Sequence, residues 1–450
     1  MANTRITRSI SSGSTTNKFT LSFWIKKSTI SGSSDMWLFE KYNNGSARTW
    51  IRFNTDTGSP RLEVSEYTGT YVFRKILNRV FRDVGAYYHI HIEFNSTLGT
   101  EADRLKIYIN GVQETSFATT NHPALNSTSI IANAGNQHFG YSENGNGNYF
   151  SGIMSHINFT DGYAYAPTSF GEYDANGVWK IKTSPSVTYG TNGFFILKDG
   201  NSVTDQSGNS NNFTVAGGTL TNTEDCPSNV FATLNPLYKS SGTVTFSNGN
   251  TKVVGVDFSN QRTGGTLGAS SGKFYFETKM TGSVSFGGST IGIADYDNVN
   301  IANSTTWFGS DSNYLGFYGG GSLKVIRNGS NNDYGTLNVN DIIGFAFDID
   351  NGFAYISRNG TWLNSGDPTS GSTGTGNVNR SGNLNYNFAG KLMGIAGGFQ
   401  STDSPILNFG NGYFGTTAVS SAGTNASGIG IFEYDVPTGY TALSTKGLNL

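Results

Sequence analysis

Asp341-Ile342-Ile343-Gly344-Phe345-Ala346-Phe347-Asp348-Ile349-Asp350-Asn351-Gly352-Phe353-Ala354-Tyr355-Ile356-Ser357-Arg358-Asn359-Gly360-Thr361-Trp362 decides the fold class. A long apolar, β-rich run ends at Asn351-Gly352, a second run follows, and Asn359-Gly360 breaks the chain again before Trp362. Asn-Gly between apolar runs is the strongest short hairpin signal, because both residues accept positive φ. Two such turns in succession predict a β-meander.

The same grammar repeats outward from there. Phe19-Thr20-Leu21-Ser22-Phe23-Trp24-Ile25 places an apolar residue at every second position. Tyr88, Ile90, Ile92 and Phe94 share one face of a strand, with His89, His91 and Glu93 on the other. Leu105-Lys106-Ile107-Tyr108-Ile109 alternates into Asn110-Gly111, and Lys273 to Thr278 reads as a further strand. Helix patterns are nearly absent; Tyr71 to Phe81 comes nearest, with Lys, Arg and Leu but no clear cap. Gly217 to Asn235-Pro236 is small, polar and punctuated without periodicity, as in a connecting arm. Gly366 to Gly382 has no bulky side chain apart from Val378 and Arg380 and predicts a mobile surface loop, and Gly415 to Gly430 is alike. The expected organisation is therefore all-β: two antiparallel β-sandwich domains in tandem, over residues 1–216 and 241–450, joined by a segment at 217–240.

Composition sets bounds on function. Among 450 residues there are 60 glycines and 13% aromatics against 13% charged residues. A disordered chain would lack those aromatic and β-branched side chains. The 29 basic and 31 acidic residues give a net charge of −2. That leaves no basic footprint for nucleic acid. Cys226 is the single cysteine, which rules out an intrachain disulfide framework and a cysteine-rich zinc site. The N-terminal residues show no apolar signal region, and no stretch approaches a membrane span. No membrane insertion is expected, and a route out of the cell by lysis would fit. With neither heptads nor a Gly-X-Y period, any homo-oligomer must assemble through globular surfaces.

Several segments carry a resemblance. Phe19 to Ser28, Tyr87-Tyr88-His89-Ile90, Asp103 to Val112 and Tyr149 to Phe159 are similar to the laminin-G/concanavalin A-like jelly roll. Asp161 to Lys180 and Tyr189 to Thr214 resemble runs in structural proteins of marine bacteriophages. Phe231 to Leu237, Ser271 to Glu277, Ile291 to Ala294, Asp341 to Gly360, Leu407 to Gly410 and Pro437 to Leu443 resemble a SPRY domain in order along the chain. The resemblance implies lectin-like sandwiches on the surface of a virion, in a tail fibre or capsid fibre, with other virion proteins and a host-surface glycan or receptor as partners.

Catalytic patterns are sparse. A glycosidase needs two carboxylates flanking the bond. Glu93 has no acidic neighbour two positions away. Asp348 and Asp350 share a face but stand at the mouth of a turn, where Asp bonds local backbone N–H groups. No Gly-x-Ser-x-Gly elbow joins a strand to a helix. The chain reads as non-enzymatic. His89 and His91 project from one face as metal ligands could, although the jelly-roll resemblance accounts for His89 as an ordinary strand residue. Asp199, Asp205, Asn209 and Asn211, like Glu143, Asn144 and Asn146, are oxygen-rich; they suit either a structural calcium or left-handed turns without an ion. No cofactor is expected and no metal ligand is assigned.

Saccharide sites stack aromatic rings on the sugar and use amides and carboxylates for its hydroxyls. Tyr141, Glu143, Asn144, Asn146, Asn148 and Tyr149 form a loop of that chemistry. Trp307, Tyr314, Tyr318 and Trp362 make a second candidate surface. The alternative for both groups is core or hairpin packing around Gly-Asn turns.

Overall fold

The computed structural model describes residues 3–13, 15–29, 35–55, 60–145, 147–198, 203–240, 244–255, 261–282, 288–302, 307–319, 321–400 and 405–450. The chain divides into two compact units, Met1–Asn222 with Cys226–Ser228, and Thr223–Asp225 with Asn229–Leu450. Each is built from antiparallel sheets, and the helices among the described residues are short 3-10 turns. None is long and apolar enough to cross a membrane.

In the first unit an eight-stranded sheet runs in the order Phe117–Asn121, Tyr71–Val80, Arg61–Thr68, Ala47–Asn54, Met36–Asn44, Gly135–Phe139, Arg5–Ile10, Thr214–Gly217. A six-stranded sheet runs Phe194–Ile196, Gly152–Asp161, Lys18–Lys27, Tyr88–Asn95, Leu105–Ile109, Val112–Gln113. Alternation decides which side chains meet between them. Phe19, Leu21, Phe23 and Ile25 enter one core with Ile90, Ile92, Phe94, Phe53, Leu62 and Phe73. Each such side chain, once buried, contributes roughly 1.5–3 kcal/mol. The segment Tyr71–Val80 is a strand, not a helix. Phe73, Lys75 and Leu77 point to the core side at strand spacing, so cross-strand packing overrides a local sequence of good helix formers.

The second unit stacks a seven-stranded sheet, Leu234–Lys239, Gln261–Ala269, Met393–Phe399, Thr290–Asp295, Tyr314–Gly319, Ser322–Arg327, Ser330–Thr336, on an eight-stranded one. The latter runs Val244–Ser247, Lys252–Gly255, Ile406–Asn408, Lys273–Lys279, Ile342–Asp348, Phe353–Arg358, Thr361–Trp362, with Thr441–Ala442 added in parallel to Lys273–Lys279. The meander is present: Ile343 pairs with Arg358 and Arg358 with Thr361. Asn359 and Gly360 both take positive φ, 49° and 79°, as a two-residue hairpin turn requires. At the first turn only Gly352 does so, because four residues separate the paired Asp348 and Phe353.

Two features depart from the expectation for Gly366–Gly382. Val378 and Asn379 are fully buried, and the Asn379 side chain holds Ala354 N, Gly352 O and Tyr386 O. The Tyr440 hydroxyl donates to Pro368 O. One buried amide thus pins a segment whose composition suggests mobility.

The ends of each unit meet. Arg5–Ile10 pairs with Thr214–Gly217 in the first. In the second, Phe231 bridges Ser444, with Ala232 N donating to Leu443 O and Thr445 N to Val230 O.

Candidate functional site

The loop at 141–149 is closed by Ser142 and Gly147, each donating its N–H to the other's carbonyl at 3.0 and 3.3 Å. Asn148 takes φ 56°, a left-handed conformation that Asn tolerates. The loop brings Tyr141 and Tyr149 together, ring centroids 5.3 Å apart, and the Arg5 guanidinium lies 4.1 Å over Tyr141. Both rings stay partly exposed and Asn144 is exposed. Glu143 instead accepts from His138 Nε2 at 2.6 Å, so it braces the loop. Burial lowers the His138 pKa against the opposing pull of Glu143. Asn146 lies outside the described residues.

What holds this loop is a residue the sequence reading passed over. Glu40, fully buried, accepts the Glu143 N–H at Oε2 (2.6 Å), and Trp37 N donates to Asn148 O (3.0 Å). Burial pushes the Glu40 carboxyl up to about 7, against the backbone N–H groups of the loop and Arg48. Glu40 and Trp37 belong to the outer face of the eight-stranded sheet. Cross-strand register builds that face in rows: Tyr42, Arg48 and Tyr67; Glu40, Trp50, Ser65 and Arg74; Trp37, Arg52, Glu63 and Ile76.

The rows form an aromatic and ionic surface. The indoles of Trp37 and Trp50 are 6.2 Å apart and Arg48 lies 4.6 Å over Trp50. Glu63 accepts from Arg52, Arg74, Asn54 and Ser65, and Arg52 also meets Asp35. Burial raises the Glu63 pKa, but the two arginines and Asn54 outweigh it and leave the carboxyl below its ordinary value. The other three large sheets carry a cover of later chain on their outer faces. Trp179 and Phe170 pack on His89 and His91 of the six-stranded sheet. Phe432 packs on Tyr275, while Glu277 binds the backbone N–H groups of Glu433 and Tyr434. Phe308 and Asp311 hold Arg262 of the seven-stranded sheet. On the Trp37–Trp50 face, the side-chain hydrogen bonds reaching in from outside its strands come, among the described residues, from Asp35 and the 141–149 loop.

The remaining sequence candidates fall elsewhere. Trp179 Nε1 donates to His89 Nδ1 (3.0 Å), which leaves His89 Nε2 to carry the proton and donate to Ser22 Oγ (2.7 Å). His91 Nε2 donates to Tyr165 O (2.9 Å). Burial drives both imidazoles far below the usual range, His91 down to about 3. With both Nε2 atoms engaged, the pair serves packing. Among the described residues no cluster of His, Cys, Asp and Glu could hold a metal ion. Glu93, its pKa raised by burial, sits beside Tyr108 and Lys106. Asp348 binds Asn351 and Lys273, and Asp350 accepts from Gly272 N, as turn residues do.

Asp199 lies outside the described residues. Asp205 accepts four donors, Phe195 N, Ser207 N, Asn211 N and Ser207 Oγ, at 2.8–2.9 Å. The amide groups of Asn209 and Asn211 donate to Gly190, Thr191 and Gly193 carbonyls, and Asn211 Oδ1 accepts from Arg8. These oxygens face N–H and O–H groups. An open polar pocket of about 460 Å³ lies alongside, lined by Arg8, Asn192 and Asn211 among others.

The second candidate surface does not assemble. Tyr314 is fully buried against Phe308, and Trp307 meets Tyr318 edge-on at 5.4 Å on the seven-stranded sheet. Trp362 ends the other sheet and packs with the Tyr275 cluster. The residues lie on opposite sheets of the sandwich.

In comparison with known proteins, residues 3–164 match the family described as the concanavalin A-like lectin/glucanases superfamily. No curated protein matches the chain. Among solved structures it is similar to the PSpry domain of TRIM65, at 11% identity over 39% of this chain and 88% of that one, TM-score 0.30. It is also similar to the SPRY domain of human HERC1, at 11% identity over 39% and 96%, TM-score 0.28. A third is the heptameric SAP-like pentraxin of Limulus polyphemus, at 15% identity over 37% and 74%, TM-score 0.26. The first unit has a concanavalin A-like lectin fold, and the chain as a whole is a pair of antiparallel β-sandwiches.

Proposed function

We propose that this chain is a non-enzymatic glycan-binding protein on the surface of a bacteriophage particle, in a tail fibre or capsid fibre, and that it acts as a homo-oligomer in attachment to the host. The observation that carries the glycan reading is the paired Tyr141 and Tyr149 rings beside Asn144 and Asn148, on a loop hung from the Trp37–Trp50 sheet face. Amphipathic rings give a sugar an apolar platform while amides reach its hydroxyls. Purified protein applied to host cells and to extracted surface polysaccharide should bind both without releasing fragments. Tyr141→Ala with Tyr149→Ala should weaken binding by about tenfold or more. Released oligosaccharides would refute the non-enzymatic reading, and unaltered binding by the double variant would refute the site.

The runs 161–180 and 189–214, with their likeness to phage structural proteins, support the virion placement. Antibodies against the protein should label intact particles, and labelling confined to cell debris would refute it. A second reading, a connector between virion proteins, has one observation in its favour. The segment covering the six-stranded sheet exposes Tyr163, Tyr173 and Val178, each at 42–51%. That reading predicts tight binding to a capsid or tail protein and no adsorption to cells.

A further inference from the structure

Hydrogen-bond donors and acceptors on the Trp37–Trp50 face do not balance. Glu63 answers Arg52 and Arg74. Arg48 is different. Among the described residues its closest carboxylate oxygen is Glu40 Oε1 at 3.8 Å, too long for a hydrogen bond, and its Nε is buried without a partner. The indole Nε1 atoms of Trp37 and Trp50 are likewise buried and unpartnered, in side chains only 3% exposed. Against these three donors stands one unanswered acceptor, Glu40 Oε1. Burying a polar group without a partner is costly, so such a cluster is retained where something else supplies the partner.

Position adds to this. Arg48 sits in the row that holds Tyr42 and Tyr67, at the partly exposed end of the face. The 44–47 turn beside it approaches the loop: a Cβ on Gly45 would lie 3.4 Å from Asn144 Oδ1. The guanidinium is held over Trp50 (4.6 Å) and Trp37 (5.9 Å), which fixes its plane and leaves its donors uncommitted. We propose that the glycan bound here is acidic, and that Arg48 takes its anionic group, a uronate carboxylate or a sulfate ester, while the Tyr141–Tyr149 pair takes a neighbouring sugar ring. This rests on the glycan reading above and names the ligand class for that site. A planar guanidinium fork matches such oxygens two at a time.

The test is calorimetric titration of the full chain with oligouronates, sulfated oligosaccharides and neutral oligosaccharides of equal length. At least one acidic set should bind about tenfold or more tightly than the neutral one, the worth of a charge-assisted hydrogen-bond pair. Which acidic set wins tells carboxylate from sulfate. Arg48→Gln should abolish the preference, bringing acidic binding down to the neutral level measured in the same variant, and Arg48→Lys should restore part of it. As a check that needs no variant, added salt should weaken acidic binding to the wild type and leave neutral binding unchanged. Equal binding of neutral and acidic sets, or a preference that survives Arg48→Gln, overturns the inference and leaves the glycan reading standing. No saccharide binding at all overturns both.

Discussion

Glu40→Gln should stabilise the first unit at alkaline pH and do progressively less for it as the pH falls. The Glu40 side chain is fully buried, and burial raises its carboxyl from 4.5 to about 7. The unfolded chain releases its proton near 4.5 while the folded one holds it to about 7. The group's contribution to stability is thus fully present below 4.5 and lost as pH rises through 7. A difference of roughly 2.5 pH units, at about 1.4 kcal/mol each, makes the charged form cost about 3 kcal/mol above pH 7. Glutamine never ionises, and its carbonyl oxygen can still accept the Glu143 N–H. The stability of the variant minus that of the wild type should therefore grow by about 3 kcal/mol between pH 4 and pH 8.5. Urea unfolding followed by tryptophan fluorescence reads this, since Trp37 and Trp50 flank the site. Contributions from His89 and His91 cancel because both proteins carry them. A difference that stays flat with pH, or grows toward acid, would refute the reasoning.

Other outcomes follow from the same contacts. Trp179→Phe removes the donor to His89 Nδ1 and leaves a buried acceptor unpaired; it should cost about 1–3 kcal/mol in urea unfolding at pH 7.5, and an unchanged midpoint would remove the assigned tautomer. In imidazole NMR spectra His91 should stay neutral from pH 8 to pH 5, because burial holds it down to about 3; a titration near 6.5 would contradict the burial. Gly360→Ala should destabilise the second unit by more than about 1 kcal/mol, since the residue has φ 79° and a Cβ would lie 2.7 Å from Tyr434 Cδ1. EDTA should leave the melting temperature unchanged, because Asp205 already accepts four donors; a clear drop would show a structural cation.

Strands that bury one face were legible because their alternation is local. Lys18–Lys27, Leu105–Ile109 and the 342–362 meander stand where the apolar periodicity and the Asn-Gly turns place them. The Trp37–Trp50 face was not legible, although its parts alternate plainly in Arg48-Thr49-Trp50-Ile51-Arg52. Polar and aromatic residues at every second position read as a solvated face until register puts Glu40 beside Trp50 and Arg52 beside Glu63. The aromatic group of the second unit failed for the converse reason. Trp307 precedes a run of hairpins that stays on the seven-stranded sheet, whereas Trp362 ends the next run, which belongs to the eight-stranded one. The 141–149 loop stands out in the sequence by its composition, whereas its anchor, Glu40, lies about a hundred residues earlier in the chain and carries no local signal.

The meeting of each unit's ends has a mechanical consequence. A pull applied between residues just before Arg5 and just after Gly217 acts on a pair of antiparallel strands at their shared end. The same holds where Phe231 meets Ser444. Tension in that geometry peels hydrogen bonds one after another, so each unit yields at its seam under modest load while its other strands carry little of the force. Each unit would lengthen in its own step, and each seam could close again when the load was released.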